Sequence, residues 1–135
     1  MNWMKLTVSA FVALMVSFGI GYALGGSGRV TTQNALEDVR ARLDQAEARG
    51  QLLEARVSLY NMNFGDASRH FEDAKAPMRR LHERYQSLGK DAAARSVAAA
   101  LEQIAEAQRL AGKLDQSANA KANDALEAIR VATSQ

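Results

Sequence analysis

Residues 36–64 read "LEDVRARLDQAEARGQLLEARVSLYNMNF", and the spacing of their apolar positions decides the fold. Leu36, Val39, Leu43, Ala46, Gly50, Leu53, Val57, Tyr60 and Phe64 alternate steps of three and four, which keeps them on one face of an α-helix. The same spacing marks the a and d positions of four heptads. With Leu36 at a, Arg42 and Arg49 fall at g while Glu47 and Glu54 fall at e, an arrangement that pairs charges across a parallel two-stranded coil. Two uses of this face stay open. Packing against later helices of the same chain is the reading favoured for Leu53 to Phe64; for Leu36 to Ala46 a second copy is an equal alternative.

The rest of the extramembrane chain points the same way. Alanine, leucine, glutamate, arginine and glutamine dominate after residue 35, proline occurs once, and runs of β-branched residues are absent, so the expected class is all-α. Asn34 and Glu37 have the spacing of a capping box, which predicts a first helix from about Thr32–Ala35 to Met62. Asn63 to Asp66 then reads as a turn. A second helix is expected over residues 66–88, kinked or restarted at Pro77 and ended by Gly89. A third covers 91–111 with Val97, Leu101, Ile104 and Gln108 at helical spacing and Gly112 as its stop, and a fourth covers 115–132 with Leu126 and Ile129 inward.

The stretch "NFGDASRHFEDAKAP", with Tyr60 and Ala55 before it, resembles part of a tetratricopeptide repeat. Phe64, Ala67, Phe71 and Ala74 stand where that family alternates aromatic and small residues after the turn between paired helices. The usual tryptophan is missing and Pro77 comes earlier than the family's closing proline. What the resemblance implies, over residues 55–77, is a helical hairpin that binds proteins. With it, the expected architecture is one N-terminal transmembrane helix followed by a small, repeat-like bundle of about four helices.

That transmembrane helix is read from "SAFVALMVSFGIGYALGG", residues 9–26. Leu6 to Leu24 carry no charge, and 19 residues span about 28 Å as a helix, close to the hydrocarbon thickness of a bilayer. Trp3 and Tyr22 near its two ends suit the headgroup region. The apolar run is longer than the core of a cleaved secretory signal, which favours an uncleaved anchor. Its sequence also places Ser9, Ala13, Ser17, Gly21 and Gly25 four apart, a small-residue ridge of the kind that lets helices approach closely in lipid. The expected organisation is an anchor over 1–25, a flexible linker over 26–33 that follows from the break at Gly25-Gly26-Ser27-Gly28, and a helical domain over 34–135.

Charge and chemistry narrow the function. Lys5 precedes the anchor, so of 17 basic residues 16 follow it, against 15 acidic ones, and this near balance gives no electrostatic case for nucleic acid. The absence of cysteine excludes a lipoprotein anchor, disulfides, thiolate metal sites and covalent haem. His70 and His82 are the only histidines, with no second histidine at an i, i+4 interval. Asp66 and His70 share a face, an arrangement commoner as a surface pair than as an acid-base site. No cofactor, metal site or catalytic residue is expected. Arg79, Arg80 and Arg84 form a basic cluster that could dock an acidic partner or lipid headgroups.

The expected function is therefore non-catalytic. The chain reads as a single-pass bacterial inner-membrane subunit, its C-terminal domain periplasmic, that packs into a larger membrane complex. The alternative is a homodimeric, membrane-anchored adaptor that associates through the heptad helix. The partners expected are the membrane, other membrane subunits and, in the alternative, a second copy.

Overall fold

A computed structural model describes the backbone of residues 3–134 and the side chains of residues 32–134. It contains four helices, α1 (Trp3–Tyr60), α2 (Phe64–Ser87), α3 (Asp91–Ala111) and α4 (Ala118–Thr133), and the described residues form no strand. The chain is all-α. The side chains of the expected anchor over 1–25, with its ridge of Ser9, Ala13, Ser17, Gly21 and Gly25, and of all but the last two residues of the expected linker lie outside the described residues. Among the described residues, no helix is long and apolar enough to cross a membrane. Contacts divide the chain into two units, residues 1–38 and 39–135.

The second unit owes its topology to short connections. Asp44 lies opposite Arg80 and Gln51 opposite His70, so α2 runs antiparallel to α1. His82 meets Ala94 and Ser68 meets Gln108, which sets α3 antiparallel to α2. Gln45 meets Thr133 at 3.2 Å and Arg56 meets Asn119 at 2.8 Å, which returns α4 to the side of α1. With α3 also packed on α4, the four helices close into a ring of antiparallel neighbours around one core.

Helix ends show why the chain turns where it does. At all three connections the helix closes with the same pair of backbone bonds: Asn63 N to Ser58 O with Met62 N to Leu59 O, Lys90 N to Tyr85 O with Gly89 N to Gln86 O, and Asp115 N to Leu110 O with Leu114 N to Ala111 O. That motif needs a left-handed residue. Gly89 supplies one at φ 68°, but the other two are Met62 and Leu114, both at φ 58°. Gly112 follows the last residue of α3 as its C-cap, as expected, but with helical angles, and the left-handed residue comes two positions later. Asn63 then caps α2 by accepting the Asp66 N–H at 3.2 Å, the physical counterpart of the expected turn. α2 runs unbroken through Pro77. The helix start expected at 32–35 falls inside α1, where no proline intervenes to end the helix.

The core corrects the reading of α1. Its buried face is Ala41, Asp44, Ala48, Leu52, Ala55 and Leu59, the b, c and f positions, on the opposite side from the heptad a and d positions. Leu53, Val57 and Tyr60, expected to pack within the chain, are exposed, and of that group only Phe64, at the start of α2, is buried. The reason is the size of the facing residues. α2 contributes Phe71, Met78 and Leu81, and the alanines of α1 leave room for them while letting the backbones come close. α3 and α4 follow the same rule, with Ala100, Ala107, Ala122 and Ala125 beside Val97, Ile104 and Ile129.

Left-handed backbone without glycine predicts a stability effect. Leu114 is largely exposed, so Leu114→Gly should sacrifice little burial and relieve the side-chain clash, raising stability by up to about 1 kcal/mol. Gly89→Ala, at the same backbone angle, should cost about 1 kcal/mol, whereas Gly112→Ala should be neutral or stabilising because its added carbon meets only ordinary contacts at 3.5 and 3.6 Å. Denaturant unfolding followed by circular dichroism would measure all three.

Candidate functional site

Polar side chains that looked available in sequence are mostly tied between helices. The Arg80 Nε donates to Asp44 Oδ1 at 2.8 Å and its Nη2 to Glu47 Oε2 at 2.8 Å, while Arg84 Nη2 reaches Asp44 Oδ2 at 3.4 Å. Asp44 is only 6% exposed, so this network clamps α1 to α2 from a largely dry position. The hydrogen bond to Asp44 is the main cause that raises the Arg80 pKa above its ordinary value. Of the cluster Arg79, Arg80 and Arg84, then, two members are paired with acids of their own chain, while Arg79 and Arg80 both remain exposed.

Both histidines are also interhelical. His70 Nδ1 is 2.8 Å from Gln51 Oε1, and His82 Nδ1 is 2.9 Å from the Ala94 carbonyl, to which it must donate. Asp66, the expected companion of His70, instead pairs with Arg69 and Asn63 beside the α2 cap. Among the described residues no group of three or more histidines, cysteines, aspartates or glutamates is placed to hold a metal. Gln108, expected on the inner face of α3, bridges outward to α2 through Ser68 O, Glu72 and Lys75.

What remains open is the outer side of α1. Val39 and Leu43 are 62% and 66% exposed, Leu53 and Val57 about half exposed at 49% and 53%, and Tyr60 is 70% exposed. Leu36, in the first unit, is exposed as well. These are the expected interface residues, brought into one stripe by the helix and left uncovered by the bundle. The others of that set, Phe64, Ala67, Phe71 and Ala74, are buried inside the bundle between α1 and the later helices. α1 is thus apolar on two sides, with the smaller residues facing inward.

The surroundings of two residues of the stripe come from the structure alone. Gly50 lies in its middle, and a side chain added there would meet nothing within 4 Å. Nothing in the protomer requires a glycine that costs a helix interior about 1 kcal/mol relative to alanine. At the far end, the Tyr60 hydroxyl is hydrogen-bonded by Asn119 and then Arg56, which lowers its pKa. Arg56 is itself held by Asn119 at 2.8 Å, so the tyrosine is fixed in place with its ring outward. Met62 and Leu114, the two left-handed residues, are exposed at this same end, where Gln116 Nε2 approaches Met62 Sδ at 2.7 Å.

No protein family, curated protein sequence or solved structure matches this chain. The geometry therefore carries the functional argument.

The Asp44 network gives a direct expectation. Removing its carboxylate takes an acceptor from two guanidinium groups, one of them mostly buried, so Asp44→Ala should destabilise the domain by about 2–3 kcal/mol. Arg79→Ala, on the open face, should stay within about 0.5 kcal/mol. Comparing their denaturation midpoints tests whether the cluster is structural.

Proposed function

We propose that this protein is a non-catalytic, single-pass inner-membrane subunit, anchored through residues 1–25, whose helical domain is an interaction module within a larger membrane assembly. The observation that carries the reading is the uncovered apolar stripe Val39, Leu43, Leu53, Val57 and Tyr60. Contiguous exposed apolar surface on a soluble face marks contact with another protein or a membrane more often than idle surface. The occupation of both histidines in helix packing supports the non-catalytic part.

The anchor supplies the second half of the proposal. Lipid offers no hydrophobic drive for helix association, so tight packing depends on small residues, which the sequence places at Ser9, Ala13, Ser17, Gly21 and Gly25. A step of four residues advances about 400°, so the ridge drifts by about 40° per step and Gly21 with Gly25 forms its most compact contact. In this reading Lys5 lies on the cytoplasmic side of the apolar run and the C-terminal domain in the periplasm of a bacterial cell. The tetratricopeptide-like hairpin stays part of the proposal for residues 55–77, as a packing unit; Phe64, Ala67, Phe71 and Ala74 lie on the face that any such hairpin buries.

Purification in mild detergent tests the proposal. Wild-type protein should bring other membrane subunits with it, and Gly21→Ile with Gly25→Ile should release it from them while leaving membrane insertion intact. A periplasm-active reporter fused after Gln135 should be active. Retention of the same partners by the double variant would remove the ridge as an interface.

A further inference from the structure

The outer stripe of α1 has a register as well as an exposure. From Val39 to Tyr60 its members occupy successive d and a positions: Val39, Leu43, Ala46, Gly50, Leu53, Val57 and Tyr60. The bundle lies on the opposite side of the helix, at Ala41, Ala48 and Ala55, so a second helix can approach the stripe without displacing any helix of the protomer. At roughly 1.5 Å per residue, this seam is about 33 Å long.

Charge decides which occupant fits. The g positions beside the stripe are Arg42, Arg49 and Arg56, and the e positions include Glu47 and Glu54. In a parallel pair of identical helices each g faces the following e of its partner, which sets Arg42 against Glu47 and Arg49 against Glu54, each twice by symmetry. In an antiparallel pair g faces g and e faces e, which sets arginine against arginine and glutamate against glutamate. Arg42, Arg49 and Glu54 are exposed and none makes an ion pair among the described residues, while Glu47 is shared with Arg80. Val57 at a and Leu53 at d also match the side-chain shapes that favour two parallel strands.

We infer that the protein forms a parallel, in-register homodimer through residues 39–60 of α1, with the four-helix bundles carried on the outside of the coil. This rests on the reading of the domain as an interaction module and names the partner as a second copy. Anchoring in one bilayer places two copies side by side in the parallel sense that the charges require. Ala46 and Gly50 form the narrow centre of the seam, where two backbones can come together.

The natural lack of cysteine makes the test clean. Single substitutions Leu43→Cys, Leu53→Cys and Val57→Cys in the full chain, in mild detergent with an added oxidant, should each give a disulfide-linked species of twice the chain mass. In a parallel in-register coil each of these positions faces its own copy within disulfide reach. Asp73→Cys, exposed on α2, should stay monomeric under the same conditions. Glu54→Arg should lower the Leu53→Cys dimer yield roughly tenfold, and adding Arg49→Glu should restore it.

Absence of linkage at all three positions overturns the homodimer. If those cysteines are then shielded from maleimide by a different co-purifying chain, the interaction module stands and only the identity of its occupant changes. If they are unlinked and freely labelled, both readings fail. Linkage that Glu54→Arg leaves unchanged overturns the parallel register.

Discussion

Alanine sets the distance between these helices, and most of the structure depends on that distance. Ala41, Ala48 and Ala55 on α1, Ala67 and Ala74 on α2, and Ala118, Ala122 and Ala125 on α4 all lie in the core. An alanine buries little area itself, but it costs no side-chain entropy and lets a larger neighbour sit against backbone. The large residues are few and placed where the alanines leave room: Phe71, Leu52, Met78, Leu81, Ile104 and Ile129. A core of this kind gains less from each position than a leucine core does, so the polar ties between helices matter more. Asp44 with Arg80 and Arg84, His82 with Ala94, and Arg56 with Asn119 each fix the register of one helix against another.

The same choice explains what sequence reading could and could not recover. The all-helical class and the limits of α3, Asp91–Ala111, follow directly from composition and punctuation, and α2 begins only two residues before its expected start. The orientation of α1 does not. Spacing favours the stripe that holds the larger apolar residues Leu43, Leu53 and Val57, yet the bundle takes the face of smaller ones. A signal for the buried face was present: Ala41, Ala48 and Ala55 recur every seven residues, with Leu52 and Leu59 beside them. That pattern carries weight only once the partner helix is known to offer large side chains. The ties of the basic cluster are illegible for a related reason, because Asp44, the acceptor of Arg80, is 36 residues away and no local spacing connects them. The candidate stripe itself was legible residue by residue, while its direction, away from the chain's own core, was not.

Glycine follows two of the three helix ends at connections, Gly89 after α2 and Gly112 after α3, but only one of the two takes the left-handed position. Glycine relieves strain at a left-handed position, and Gly89 does so. At the other two turns that backbone shape is imposed by paired hydrogen bonds and helix packing, and Met62 and Leu114 accept the strain. Both are exposed at the end of the bundle where Tyr60 is held outward by Asn119 and Arg56. Large apolar side chains kept in a costly conformation and out of the core extend the apolar character of the α1 stripe around that end of the domain.

A helix used on two sides couples its two associations. Every α1 residue from Val39 to Tyr60 belongs either to the bundle face, to the outer stripe, or to the charged flanks between them, so forming the bundle orders the same helix that the coil needs. Most helical stability in proteins comes from packing of one face rather than from propensity, and Gly50 lowers the propensity of this helix further. The bundle therefore supplies the pre-organised α1 on which a partner can dock, and a partner bound only to the folded form stabilises the bundle in return by mass action. In the dimer proposed above, confinement of two copies to one membrane raises their effective concentration and strengthens that linkage without any new contact, so that an alanine-rich core that is modest on its own gains stability at the step that covers the exposed stripe.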